Sequence, residues 1–350
     1  MNEILHQFLP QMTHDEKMEL LAALKEAIAE ELAGGRPGEP GRCPRCGCPR
    51  FVRKGRSALG AQRWLCRGCG STFSQGTMGL LANSKLPAAV WMAFAECMAD
   101  ALCLRETASR CGVSLYTAWF MRMRACEVMS YRLAPARAGS FQVDDTHFVV
   151  SLSGNHGRSA WYSMPRPAHR GGQDGRRAGG SRTRNRVDVS CGVNEFGDCY
   201  CELLSAGVAR AAEASLVVGA RIPAGSSVTA DGDLSYASAL AGYGLTVVDP
   251  RDPSTGNINM VNALHSRLKE FIGRLHGVAS RRMQRYLDWF CWREQFRGSD
   301  ADRRELLFSH ECEGRYVYTR ELTHLEPHPF LPYWDRLRYA DLTRHMSILV

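Results

Sequence analysis

Two cysteine pairs constrain this chain more than any other feature: Cys43-Pro44-Arg45-Cys46 and Cys66-Arg67-Gly68-Cys69, with nineteen residues between them. That interval suits a four-thiolate metal site. Zinc prefers soft ligands at tetrahedral corners, and each CxxC turn can offer two thiolates to one ion. Phe51-Val52 and Arg63-Trp64-Leu65 suit short strands, and Gly55 and Gly60 suit turns, so residues 41–75 read as a zinc ribbon. A redox CxxC is the competing reading, which two pairs at this interval disfavour. Cys48 follows Cys46 too closely to be a natural ligand. With Cys43, Cys46, Cys66 and Cys69 filling every position, the Zn²⁺ would be structural, with no place for substrate. The remaining members of the 14 cysteines scatter through apolar patterns and read as reduced thiols.

Charge points to the partner. The 350 residues carry a net charge of +8, with 39 arginines against five lysines. Arginine usage also follows genomic base composition, so the excess alone says little. Its placement says more: from Arg42 to Arg67 there are eight basic residues and no acid. Such a run is a phosphate-binding surface, with Arg53, Lys54, Arg56 and Arg63 its expected DNA contacts. At 45% hydrophobic and 23% charged, the composition excludes wholesale disorder. No stretch reaches the roughly 18 apolar residues of a membrane span. The charged, amphipathic N-terminus lacks a signal peptide's apolar block, so a cytoplasmic protein is expected.

The chain divides by pattern. Residues 3–33 predict an amphipathic helix with an acidic surface, closed by the linker Gly34-Gly35-Arg36-Pro37-Gly38, giving an N-terminal segment 1–35. Residues 84–132 read as helical, and Arg105 to Ser114 has the form of a first helix and tight turn. Gly112 permits the turn, and Ser114 can cap the helix from Leu115 to Arg124. Tyr116, Thr117, Arg122 and Arg124 are the side chains a helix-turn-helix would present to DNA. A plain helical hairpin is the blander reading.

After Pro135 the pattern changes to strands. Phe141 to Val150 is a strand with two carboxylates at its centre, which are costly to bury unless paired or bound to metal. Residues 154–186 carry eight arginines against one acid, Asp174. This Arg-rich insertion, including Arg176, Arg177, Arg182 and Arg184, is expected to clamp a DNA backbone. Strands over Val187 to Val193 and Cys199 to Leu204, a helix near Ala209 to Gly219, and a strand ending at Asp231 follow. From Met260 to Leu275, Val261, Leu264, Leu268, Phe271, Ile272 and Leu275 form one apolar stripe, flanked by Asn262, His265 and Lys269. An aromatic helix around Tyr286 to Trp292 comes next.

Acids on two separate strands and a polar residue on a later helix suggest a metal-dependent nuclease core. Mg²⁺ or Mn²⁺ takes hard oxygen ligands and retains water, so Asp144, Asp231 and Asn262 would suffice. Lys269, two turns along the same flank, could contact a phosphate.

These residues resemble a family: bacterial insertion-sequence transposases with an N-terminal zinc ribbon and a ribonuclease H-like catalytic domain. The matching stretches are Val143-Asp144-Asp145-Thr146, Ala230-Asp231-Gly232 and Ile258 to Lys269, with Gly277-Val278 and Tyr286 to Phe290 resembling the closing helix. The likeness covers residues 40–296. It implies an α/β multidomain fold: a ribonuclease H-like mixed-sheet core over 138–296, preceded by the ribbon and the helix-turn-helix. It makes Asp144 and Asp231 the first two catalytic acids. Asn262 stands at the third, usually acidic, position, as in one branch of the family, and Lys269 at its basic position. It further implies metal-assisted cutting of element ends and joining of the 3′-hydroxyl to target DNA. The expected partners are double-stranded DNA and further copies of the chain, in a nucleoid-associated setting.

Each assignment has a rival. Asp145 could replace Asp144, since alternation sends the two to opposite faces. Asp231 could cap a helix around Ser235 to Leu240, and Asn262 could be a helix-entry cap. Glu270 is a substitute acid, and His265 could be packing or catalytic. A DNA-binding regulator that has lost catalysis would keep every N-terminal feature. A zinc-ribbon protein acting in transcription would leave Asp144, Asp231 and Asn262 idle. Residues 297–350 form a tail of unassigned role; His310, Cys312, His324 and His328 match no metal template.

Overall fold

The computed structural model describes residues 8–33, 40–57, 62–74, 77, 81, 84–149, 151, 153, 186–206, 211–231, 240, 242–249, 256–297 and 303–313. Two compact units emerge, one comprising Met1–Val128 with Ser299–Leu322, the other Met129–Gly298 with Thr323–Val350. The Arg-rich insertion lies outside the described residues but for its last position. The tail beyond 313 and the helix considered at Ser235 to Leu240, Leu240 apart, also lie outside them.

The first unit begins with helix α1 (His14–Ala33), shorter than the pattern predicts. Leu9–Gln11, with Pro10, is a tight 3-10 turn, and Met12 is extended. Helix α1 starts where Thr13 and Glu16 cap one another: the Glu16 N–H donates to Thr13 Oγ1 (3.3 Å) and the Thr13 N–H donates to Glu16 Oε2 (2.8 Å). The ribbon follows as three antiparallel strands, β1 (Phe51–Arg56), β2 (Gln62–Cys66) and β3 (Thr72–Phe73), in that order. Its small core is Trp64 and Phe73 with the buried thiols Cys43 and Cys66, and Phe51 packs edge-on against both rings.

Three helices complete this unit's centre: α2 (Ala88–Ala99), α3 (Leu104–Arg110) and α4 (Leu115–Arg132), the last crossing into the second unit. Gly112 adopts φ +61° between α3 and α4, and Ser114 Oγ accepts the Thr117 N–H at 3.1 Å, as the turn reading requires. A helix α8 (Arg303–Glu313) packs back on α2.

The second unit is built on a five-stranded mixed sheet. Its strands are β4 (Ser140–Val149), β5 (Arg186–Asn194), β6 (Cys199–Ala206), β7 (Ser227–Asp231) and β8 (Gly244–Val248), in the order β6-β5-β4-β7-β8. The β4–β5 and β5–β6 pairs are antiparallel; β4–β7 and β7–β8 are parallel. Alternation along β4 sends Phe141 and Val143 into an apolar layer with Val228 and Ala230 of β7. Helix α5 (Ala211–Arg221) closes that layer with Ala214 and Val218. Helices α6 (Asn259–Arg274) and α7 (Met283–Gln295) pack on β4, β5 and β6. The stripe predicted on α6 is the buried one: Val261, Leu264, Leu268, Phe271 and Leu275. Phe271 meets Trp289 of α7 edge-on at 4.9 Å, and Trp289 and Trp292 are fully enclosed. At the outer strand β6, the Gln284 side chain of α7 accepts the Leu203 N–H (2.9 Å) and donates to the Cys201 carbonyl (3.2 Å). No helix among the described residues is long and apolar enough to cross a membrane.

Candidate functional site

In the ribbon the four predicted sulfurs converge. Those of Cys43, Cys46, Cys66 and Cys69 all lie within 4.8 Å of one another. Cys43 and Cys69 are 3.8 Å apart, and Cys46 and Cys66 are 3.6 Å apart. A tetrahedron of Zn–S bonds near 2.3 Å has edges of about 3.8 Å, so the donor set fits zinc in both chemistry and size. The turns are built for this: the Gly47 N–H returns to the Cys43 carbonyl, the Gly70 N–H to the Cys66 carbonyl, and both glycines have positive φ. Cys48 is no ligand; its Sγ lies 3.8 Å from the Arg50 carbonyl.

The basic residues of the ribbon, Arg53, Lys54, Arg56 and Arg63, are exposed. The Arg53 guanidinium lies over the Trp64 ring at 5.6 Å, and Lys54 Nζ donates to Thr72 Oγ1. Tyr116 is 65% exposed and stacks on Trp119, whereas Thr117 is engaged with the Ser114 hydroxyl at 2.9 Å. Arg122 and Arg124 need correction as DNA contacts. They are 1% and 5% exposed, and Arg122 donates to the Leu102 carbonyl (2.7 Å) and Thr107 Oγ1 (3.1 Å). Helix α4 runs on past Arg124 and is enclosed nearly all round, with Met121, Met123, Ala125, Cys126, Val128 and Met129 buried. Between Met121 and Met129 a polar side chain has no surface to reach, whereas the helix ends keep Tyr116 and Tyr131 exposed. Arg176, Arg177, Arg182 and Arg184 fall outside the described residues.

In the second unit, backbone register places the two predicted acids. Val143 pairs with Ala230 in the parallel β4–β7 ladder, so Asp144 and Asp231 are the next positions on neighbouring strands. Asp231 is exposed at the end of β7, and Asp144 is half-buried. Burial pushes the Asp144 carboxyl up to about 6, opposed by the bond from the Asp145 N–H (2.8 Å) and reinforced by the charge of Asp231. Asp145 lies on the opposite face of β4, with Phe141 and Val143.

Helix α6 is tied over this face by a residue the sequence reading passed over. The Gln142 carbonyl Oε1 accepts the Met260 N–H (2.7 Å) and the Val261 N–H (3.3 Å), and its Nε2 donates to the Asn257 carbonyl (2.9 Å). Gln142 thereby caps the helix from two residues before Asp144. One turn further along, His265 Nδ1 stands 3.7 Å from Asp144 Oδ2. His265 is 6% exposed; burial, then the Lys269 charge, bring it down to about 4, so the imidazole is neutral at pH 7. Lys269 also acts on Asp144, which it helps to keep ionised. Asn262 occupies the exposed flank of α6 one turn before His265. It lies inside the helix, whose N-cap is Ile258, so the helix-entry reading fails, and its side-chain amide makes no hydrogen bond among the described residues. The structure thus brings Asp144, Asp231, His265 and Lys269 within electrostatic reach, and Asn262 is related to them only by its place on α6, one turn before His265. At the far end of β4, His147 Nδ1 is bound to the buried Asp188 carboxylate of β5. An acid inside the run Arg186-Val187-Asp188-Val189 was the available sign of that pair.

No protein-family model matches the chain. No curated protein matches it in sequence. Among solved structures, it is similar to the crystal structure of a pre-cleavage Mos1 transpososome, at 14% identity and a TM-score of 0.23, over 63% of this chain and 76% of that one. At that score the likeness assigns neither fold nor activity.

Proposed function

We propose that this chain is a DNA transposase: a zinc ribbon and helix-turn-helix that engage element ends, and a ribonuclease H-like core that cuts and joins DNA strands. The observation that carries the reading is the register of β4 on β7, which stands Asp144 beside Asp231. The strand order supports it too, with three antiparallel strands continued by two parallel ones and both acids on the central pair. Asp144, Asp231 and Asn262 would hold Mg²⁺ or Mn²⁺. Such ions activate the attacking oxygen and stabilise the leaving oxygen of a phosphodiester. The protein's own part is to hold two carboxylates against their mutual repulsion and to bring Lys269 to the same flank for a phosphate. Asn262 contributes an oxygen without charge, so it would bind the ion less tightly than an acid would. Arg53, Lys54, Arg56 and Arg63 would hold the DNA backbone, Tyr116 would reach into the duplex, and Arg176, Arg177, Arg182 and Arg184 would clamp it. Two ends must be brought together, so at least two copies are expected on DNA.

The test is Mg²⁺- or Mn²⁺-dependent nicking of end-bearing DNA by the wild type, Asp231→Ala and Asn262→Ala. Activity lost in both variants supports the enzyme. A wild type that binds the DNA and cuts it with neither metal refutes it, leaving a regulator.

A further inference from the structure

Within that reading, one residue beside the site has no assigned role. His265 is buried on α6, its Nδ1 faces Asp144, and its Nε2 is buried without a hydrogen-bond partner among the described residues. An N–H on Nε2 would be buried with no acceptor, and a buried donor left unmade is expensive. The proton therefore belongs on Nδ1, which stands 3.7 Å from Asp144 Oδ2. The bare Nε2 then faces the protein interior, which costs less than an N–H stranded there.

We propose that His265, protonated on Nδ1 and bare on Nε2, is the positioning residue of Asp144, directing its Nδ1–H at the Asp144 carboxylate from helix α6. Gln142 fixes the start of that helix from the same strand, so the two contacts set α6 on β4 at successive turns. His265 touches neither ion nor DNA in this role. It acts through the direction in which Asp144 presents its oxygens.

Two measurements on the full, zinc-loaded chain test this. Imidazole ¹⁵N NMR of the wild type at neutral pH should show the His265 proton on Nδ1 only; a proton on Nε2 overturns the proposal. Mn²⁺ titration should then separate three variants. In His265→Asn the amide NH₂ can stand where Nδ1 does, and Mn²⁺ affinity should stay within about threefold of wild type. In His265→Gln, which reaches the Nε2 position instead, and in His265→Ala, affinity should fall by about tenfold or more, as for lost outer-shell partners of metal ligands. Equal affinity in all three, or rescue by Gln and not by Asn, overturns it. Should the wild type bind no more Mn²⁺ than Asp231→Ala, the metal-dependent reading fails, while the NMR still decides the His265 contact.

Discussion

Replacing Asp144 with asparagine should stabilise the metal-free protein at the cost of the proposed chemistry. The carboxyl lies at about 6 in the folded chain against an ordinary 3.8. At roughly 1.4 kcal/mol per pK unit, ionising it in place costs about 3 kcal/mol more than in the unfolded chain. With 21% of the side chain exposed, solvent screening removes only part of that figure. The folded-state value is the higher one, so the contribution to stability is fully present below about pH 4. It is lost as pH rises through about 6, and above pH 7 the whole penalty applies. Asparagine keeps the shape and an acceptor for the Asp145 N–H but never ionises. Wild type and Asp144→Asn should therefore unfold alike near pH 4, and the variant should be the more stable by up to about 3 kcal/mol near pH 8. The assay is urea unfolding of zinc-loaded protein without Mg²⁺ or Mn²⁺, followed by circular dichroism. Adding Mn²⁺ should narrow the gap, because a bound cation relieves the wild type alone. A variant less stable than wild type near pH 8, or a gap that does not change with pH, refutes the reasoning.

Four further outcomes follow from described contacts. The chain should bind one zinc per copy by elemental analysis, and Cys66→Ser should abolish it, with loss of ribbon structure seen as new protease cleavage between residues 43 and 69. Gln142→Leu removes three hydrogen bonds from the start of α6, a loss of about 2–3 kcal/mol in urea unfolding, together with weaker Mn²⁺ binding. The two buried charges of the helical unit should respond with opposite sign. Arg122→Met abandons the acceptors Leu102 and Thr107 and should lower thermal stability by about 1–3 kcal/mol. Glu311 is fully buried, neither of its oxygens has a partner among the described residues, and burial drives its carboxyl well above the usual range, so Glu311→Leu should raise the melting temperature.

What could be read from the residues alone was what rests on short-range pattern. The CxxC spacing located all four sulfurs because each turn is local. Alternation along Phe141 to Val149 separated Asp144 from Asp145, and the period of α6 identified its buried stripe. What escaped depends on chain segments meeting. Gln142 looks like any polar strand residue until α6 arrives above it, more than a hundred residues later. The strand Gly244–Val248 is five residues long, and only its pairing with β7 gives it away. Arg122 and Arg124 look like surface residues by their chemistry, and only packing shows that the inner stretch of α4 from Met121 to Met129 is enclosed. Asp188 stands out as an acid in an apolar run, but only the sheet pairing shows that His147 is its partner.

The glutamine at the margin of β6 has a consequence for how copies of this chain can gather. By answering one carbonyl and one amide of that outermost strand, Gln284 performs the office of a sixth strand without being one. A neighbour trying to extend the sheet there would first have to evict a side chain anchored on a helix with two aromatic rings sealed beneath it. The rim of β6 beside Gln284 thus leaves fewer open groups for the strand of another copy to pair with.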